Sequence, residues 1–166
     1  MTDDTYVVCL SAVEAGYLTL SDVVRWADQQ ILSEDRPPGW LLDLSLASTS
    51  QTAVNLLRAG WRQQVEAHGC NSQLHERSGQ LYLGFLFLRY ERGDLGTAEL
   101  LYLAGQKSDV QECGIDCQAF YALLNEIDGG GPVLPSDRLL ADRVKQESAP
   151  FAHLTRSYLQ LLPQTL

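Results

Sequence analysis

The chain has 166 residues, 45% of them hydrophobic, and carries a formal net charge of −9. This length fits one domain with its own core, the hydrophobic content excludes a disordered chain, and no apolar run approaches the ~20 residues that span a bilayer. The excess of acid disfavours binding to nucleic acid or to an anionic membrane, because both carry negative charge. We therefore expect a soluble protein that binds neither nucleic acid nor a membrane.

The amino-terminal segment predicts a first helix that ends at Gly16. Asp3 or Asp4 can cap this helix, and Leu18 supplies the apolar contact that commonly follows a C-terminal glycine. Cys9 lies inside the helix, where we expect a small core residue. The four cysteines do not form a disulfide framework pattern, and the first residues lack the basic region of a secretory signal, so the cytoplasm is the expected location.

A second helix follows, with the clearest amphipathic pattern in the chain. Thr19 and Asp22 have the spacing of a capping box at its start. Its apolar stripe is predicted to contain five residues, Leu20, Val23, Val24, Ala27 and Ile31. Trp26 lies beside that stripe, which leaves two alternatives: packing under a neighbouring loop, which we favour, or exposure as a binding residue.

Residues 36–39, RPPG, interrupt the chain, and the following WLLDLSLA predicts a short helix. Ser48 to Gln51 resembles a second capping box, before a helix whose buried face is expected to contain four residues, Val54, Leu57, Trp61 and Val65. Residues 67–80 are polar and show no apolar period, so they predict a long loop.

The central element is a helix at residues 81–91, because LYLGFLFLRY is apolar on every side and a helix of that kind must be covered by others. A partner helix at residues 95–104 is predicted to form an αα-hairpin with it. Asp94 would be the N-cap of the partner helix, and Gly105 would end it.

This hairpin resembles one tetratricopeptide unit at five positions, Leu83, Gly84, Phe87, Ala98 and Tyr102. The resemblance would imply a helical hairpin with an apolar groove for another protein. The distance from Gly84 to Ala98 is about two residues longer than in that consensus, and no second copy occurs at the 34-residue period of such repeats.

The carboxyl-terminal part predicts a loop at residues 106–116 and a helix capped by Asp116, with Phe120, Leu123, Leu124 and Ile127 on one face. Residues 129–135, GGGPVLP, predict a flexible linker before the last two helices. Ser136 would cap the first of them, and Pro150 would separate the two. The whole pattern predicts a single compact all-α domain, residues 1–166, with about eight helices.

Candidate chemistry falls in the two predicted loops. Five thiols and imidazoles could in principle bind zinc, although their spacing is not that of a known finger: His68, Cys70, His75, Cys113 and Cys117. Asp109, Glu112 and Asp116 could converge as carboxylates, but they lack the glycine and ligand alternation of a calcium loop. No catalytic motif and no cofactor motif occurs, and we expect a protein that is not an enzyme and needs no cofactor.

The negative charge is concentrated in residues 1–48, with eight acids against two bases, and in residues 105–131, with five against one. We expect these segments to bind a basic protein, as in a bacterial immunity protein that neutralises a toxin. The predicted contact residues are Asp22, Trp26, Asp28, Glu34, Asp35, Asp109, Glu112 and Asp116. The alternatives are an adaptor with a tetratricopeptide-like groove, and a small-molecule-binding protein or enzyme that uses loops 67–80 and 106–116.

Overall fold

A computed structural model describes residues 3–68, 72–108, 118–128 and 137–162. These residues contain no strand and form eight α-helices and one short 3-10 helix, Leu159–Leu161. The helices are α1 (Asp3–Glu14), α2 (Leu20–Ser33), α3 (Gly39–Ser45), α4 (Ser50–His68), α5 (Ser72–Glu91), α6 (Thr97–Ser108), α7 (Gln118–Asp128) and α8 (Asp137–Tyr158). The predicted all-α class is confirmed.

The chain divides into two compact units, Met1–Leu74 with Tyr158–Leu166, and His75–Ser157. The boundaries of these units do not coincide with residues 129–135, which were predicted as a linker and lie outside the described residues. Whether the two units behave as the predicted single domain in solution stays a prediction.

The core of the first unit forms where α3 packs on α4 and α4 packs on α1. Trp40 of α3 lies against Tyr6 of α1, with ring centroids 5.0 Å apart. The same indole lies on Gly60 of α4, where an added Cβ would be 2.8 Å from the ring. Glycine at this position therefore lets a large aromatic side chain pack directly on the α4 backbone.

The predicted end of α1 is confirmed in detail. Gly16 has φ +67°, and its N–H donates to the carbonyl of Val13 at 2.9 Å while the N–H of Tyr17 donates to that of Ala12 at 2.8 Å. This pattern is the Schellman motif, which needs a left-handed residue and so favours glycine. Leu18 is buried, as predicted.

Other predictions in the first unit need correction. The side chain that caps α4 is Thr49, whose Oγ1 accepts from the N–H of Thr52 at 3.1 Å, rather than Ser48. Trp61 is only half-buried. The loop predicted at residues 67–80 is wrong over most of its length, because α4 continues to His68 and α5 begins at Ser72. The polar residues at the end of α4 and the start of α5 extend these helices although they have no apolar period. The two helices are stabilised by packing of their other residues.

The central apolar run of α5 belongs to the second unit and is buried on all sides. Four consecutive residues, Phe85 to Leu88, are each at most 7% exposed. Four residues complete more than one helical turn, so no face of the helix at this level meets water. The prediction of a covered central helix is confirmed for this turn, whereas Tyr82, Arg89 and Tyr90 are half-buried and Glu91 is exposed.

Helices α5 and α8 approach each other closely at Gly84. A Cβ added there would lie 2.5 Å from the carbonyl oxygen of Phe151 and still closer to Thr155 Oγ1. The buried Thr155 hydroxyl donates to the Leu81 carbonyl at 3.5 Å. The backbones of the two helices therefore meet at a position where only glycine fits.

This contact changes the interpretation of the tetratricopeptide-like hairpin. Gly84 accommodates α8, whereas Ala98 is exposed and Tyr102 is 50% exposed. In addition, α6 begins at Thr97, after Gly96, whose carbonyl accepts from Leu100 N–H, so the predicted Asp94 cap is wrong. The resemblance in sequence does not correspond to the interlocking that a tetratricopeptide unit requires.

Gly105 does not end α6, which continues to Ser108. A Cβ at Gly105 would lie 2.6 Å from the ring of Tyr121 in α7. The residue is therefore a contact position between α6 and α7 rather than the predicted helix end.

The last two predicted helices are one helix, because α8 continues through Pro150. A proline inside a helix removes a backbone donor and usually costs about 3 kcal/mol. Pro150 is exposed, and four residues on both sides of it form a single buried face: Val144, Ser148, Ala152 and Thr155. Packing along this face supports the helix on both sides of Pro150, so the local effect of proline does not end it there.

Two further contacts connect α8 to α7. The rings of Phe120 and Phe151 lie with centroids 6.4 Å apart. Arg143 donates through both terminal nitrogens to the Glu126 carboxylate, with one of these bonds at 2.9 Å. Hydrogen bonding from Arg143 lowers the pKa of Glu126. This pair is exposed, so it orients the helices more than it stabilises them.

Candidate functional site on helices α2 and α3

Asp22, the first of the predicted contact residues, forms hydrogen bonds at the start of α2. Its carboxylate accepts from the N–H of Thr19 at 2.9 Å, and its own N–H donates to Thr19 Oγ1 at 3.2 Å. The side-chain hydrogen bond from Thr19 lowers the pKa of Asp22. The capping box is confirmed, and Asp22 has a structural task that is independent of any partner.

Trp26 is 3% exposed, so the packed alternative that we favoured is the one the structure shows. The residue cannot act as an exposed contact in this conformation. Its burial also changes the orientation of α2. The buried residues are Val23, Trp26 and Ala27, whereas Leu20, Val24 and Ile31 of the predicted stripe are only half-buried.

The physical reason is the size of the indole. A tryptophan side chain offers roughly 200 Å² to bury, which exceeds what a valine or isoleucine offers. The helix is therefore turned toward Trp26, and the opposite edge of its apolar stripe stays partly in contact with water.

Three large apolar side chains of the segment from α2 to the end of α3 are exposed. Leu32 is 88% exposed, Leu46 is 81% exposed and Leu42 is 43% exposed. Leu42 and Leu46 are one turn apart at the outer side of α3, whose inner side contains Trp40, Leu41 and Leu44. We call Leu32, Leu42 and Leu46 the leucine face.

Acidic residues are close in sequence to the three leucines of the leucine face. Asp28 is exposed one turn before Leu32, and Asp35 and Asp43 are also exposed. Glu34 is half-buried. Residues 20–46 hold five acids against Arg25 and Arg36, so the surface combines apolar anchors with a net negative charge.

Sequence reasoning identified the acids but missed the leucines. Six of the eight residues of WLLDLSLA are apolar, so this short helix presents leucine on all sides and periodicity does not separate the inner leucines from the outer ones. Leu32 directly follows the last residue of a regular stripe. At 100° per residue Leu32 already lies off that stripe, and with Trp26 buried on another side of α2 it is left exposed.

The remaining predicted residues lie outside the described residues. This applies to the predicted contacts Asp109, Glu112 and Asp116, and to Cys70, Cys113 and Cys117 of the zinc hypothesis. His68 and His75 lie in helices, but their side chains are outside the description as well. In the part of the chain that the structure describes, no three His, Cys, Asp or Glu side chains gather to hold a metal ion.

The alternative of a small-molecule site in the two predicted loops stays a prediction, although parts of both loops are helical. Residues 72–80 are the first turns of α5, and residues 106–108 are the last turn of α6. Residues 69–71 and 109–116 lie outside the described residues.

Cys9 is a free, fully buried thiol in α1. The predicted core position is confirmed. Burial raises the pKa of this thiol from its ordinary value of 9.0 to about 12. A neutral thiol in an apolar environment is chemically inert, so Cys9 is not a nucleophile.

This burial predicts a pH dependence of stability. Because the folded pKa lies above the unfolded one, the contribution of Cys9 is complete below pH 9 and is lost as the pH rises toward 12, with a slope of at most about 1.4 kcal/mol per pH unit. Denaturant unfolding at several pH values should show a shallower decline for Cys9→Ala than for the wild type. Equal declines would contradict the assignment.

No family model, no curated protein and no solved structure matches this chain. Within the described residues, no helix is both long enough and apolar enough to cross a membrane.

Proposed function

We propose that this protein is a non-catalytic binding protein for a basic protein partner, and that α2 and α3 form the contact surface. The observation that carries the proposal is the exposure of Leu32 and Leu46, at 88% and 81%. Exposed leucines on neighbouring helices cost free energy in water, and burial under a partner would recover about 25 cal/mol per Å².

Charge supports the choice of partner. The exposed carboxylates of Asp28, Asp35 and Asp43 would attract a basic surface from a distance and would repel acidic competitors. A concrete form of this function is an immunity or inhibitor protein that neutralises a basic toxin in the bacterial cytoplasm. That form rests on charge and size, and on the general suitability of small acidic helical proteins for this task.

The test begins with capture of partners from a lysate of the native source on the immobilised full chain. Elution in steps from about 50 mM to 1 M salt covers screening lengths from above 10 Å to about 3 Å. The captured protein is then purified, and its Kd and association rate are measured against the wild type and variants.

Two double variants distinguish the contribution of the exposed leucines to binding from the contribution of the exposed aspartates. We expect Leu32→Ala with Leu46→Ala to raise the Kd at least tenfold, which corresponds to about 1.4 kcal/mol. Asp28→Lys with Asp35→Lys should mainly slow association, by several-fold and most strongly at low salt. Asp22 is kept, because its replacement would damage the capping box as well as the charge.

Matched controls lie on α8. Leu139 is 55% exposed and Asp142 is exposed, so Leu139→Ala and Asp142→Lys make the same kinds of chemical change on a helix of the second unit. Both controls should bind like the wild type. The proposal is wrong if the leucine and aspartate pairs also bind like the wild type, or if no protein is captured at low salt.

A further inference from the structure

We propose that the element that docks on the leucine face is a basic amphipathic helix, presented by the partner with apolar residues at one-turn spacing and Lys or Arg at its edges. This inference rests on the proposed function and specifies the structure of the partner. It follows from the shape of the uncovered surface, from its charge and from the secondary structure around it.

The uncovered part of α2 is a ridge along a helix. Leu20, Val24 and Ile31 are half-buried, and Leu32 at the end of the helix is exposed. From Leu20 to Leu32 this ridge runs for about 18 Å at 1.5 Å per residue. A second helix of three to four turns has the same length, and its side-chain rows fit the grooves between rows of this kind.

Helix α3 packs on α2 and also leaves large apolar side chains exposed. Its outer side carries Leu42 and Leu46, one turn apart. Two adjacent helices with uncovered apolar residues are the usual acceptor of a third amphipathic helix, which places anchors at i, i+4 and i+7 between them.

The charge pattern selects the composition of that helix. Asp28 lies between Val24 and Leu32 on the outer surface of α2, and Asp43 directly follows Leu42 on α3. Lys and Arg that flank the apolar row of a docked helix can reach these carboxylates while their stems cover apolar surface.

The same observations exclude other occupants. A second copy of this chain would bring like charges together, because it presents the same acids. Pairing with an extended peptide needs a free strand edge, and the described residues include no strand. An anionic membrane would be repelled by the same carboxylates.

The experiment uses the full chain and three synthetic peptides of about 16 residues, a length that gives four helical turns. The first has leucine at i, i+4, i+7 and i+11 and Lys or Arg at the flanking positions. The second is a scrambled version with the same composition but no apolar face. The third keeps the leucine pattern and carries Glu in place of Lys and Arg.

Fluorescence anisotropy should give the first peptide at least tenfold tighter binding than either of the others. Circular dichroism should show that the peptide gains helix on binding. Leu32→Ala with Leu46→Ala should weaken its binding at least tenfold, whereas Leu139→Ala should leave it unchanged.

Two results would overturn the inference. Equal binding of the first and scrambled peptides would show attraction by charge alone, and no binding of the first peptide at about 1 mM would show that a helix is not accepted. Neither result affects the proposed function, because the dependence of the captured partner on Leu32 and Leu46 is measured separately. If binding of the captured partner did not depend on Leu32 and Leu46, the proposed function would be wrong. Binding of the peptide would then be a property of the protein that is seen only in vitro.

Discussion

Replacing Gly84 with alanine is expected to lower the free energy of unfolding by about 1–3 kcal/mol or more, the usual cost of overpacking a well-packed core. The added Cβ would lie 2.5 Å from the carbonyl oxygen of Phe151. That oxygen belongs to the backbone of α8, so relief requires a shift of a whole helix. A side-chain rotation cannot remove the clash.

The sign of this change separates two physical effects. Alanine is favoured over glycine in a helix interior by roughly 1 kcal/mol, so local propensity alone predicts a more stable protein. Close packing predicts a less stable one. Urea or thermal unfolding of Gly84→Ala therefore tests directly whether α5 and α8 meet at this residue.

Gly39→Ala is the matched control. Gly39 begins α3, and a Cβ there meets nothing within 4 Å. Without a clash, the change should be neutral or stabilise by up to about 1 kcal/mol. If Gly84→Ala behaved like Gly39→Ala, the contact between α5 and α8 would not be as close as described.

Truncation of Phe87 to alanine should be still more costly, at about 3–5 kcal/mol. Phe87 is 3% exposed in the middle of the covered turn of α5, and its ring lies with its centroid 5.8 Å from that of Tyr90. The change removes a large apolar side chain and leaves a cavity that the neighbouring helices cannot fill without moving. Loss on this scale is a large part of the total stability of a domain.

Leu32→Ala provides the comparison, because this side chain is 88% exposed and loses little burial on truncation. Its free energy of unfolding should stay within about 0.5 kcal/mol of the wild-type value. A small effect at Phe87 would show that the central run is peripheral, and a large effect at Leu32 would show that the leucine face is covered within the protein itself.

The contrast between these two positions also links stability to function. Phe87 and Leu32 are both large apolar residues in helices, but only the first is used by the fold. Residues that a fold leaves exposed at a cost are candidates for binding, and their removal should change affinity without changing stability.

Several features of this protein were determined by the sequence alone, and all of them depend on residues close together in the chain. Thr19 and Asp22 form the predicted capping box, Gly16 adopts the left-handed conformation that ends α1, and the apolar run from Leu81 is buried. Hydrogen bonds at helix ends span three to five residues, and a long run that is apolar on every side gains free energy from burial in any arrangement. Neither depends on how distant segments are arranged.

The tertiary structure decided the rest. Gly84 and Gly105 were interpreted from local patterns, as part of a hairpin motif and as a helix end, but their contacts are with Thr155 and Tyr121. Pro150 remains inside α8, and Trp26 turns α2 so that Leu32 is exposed. In each case burial between segments that are distant in sequence outweighed a local preference of about 1–3 kcal/mol, because a single large side chain or close helix contact gains as much or more.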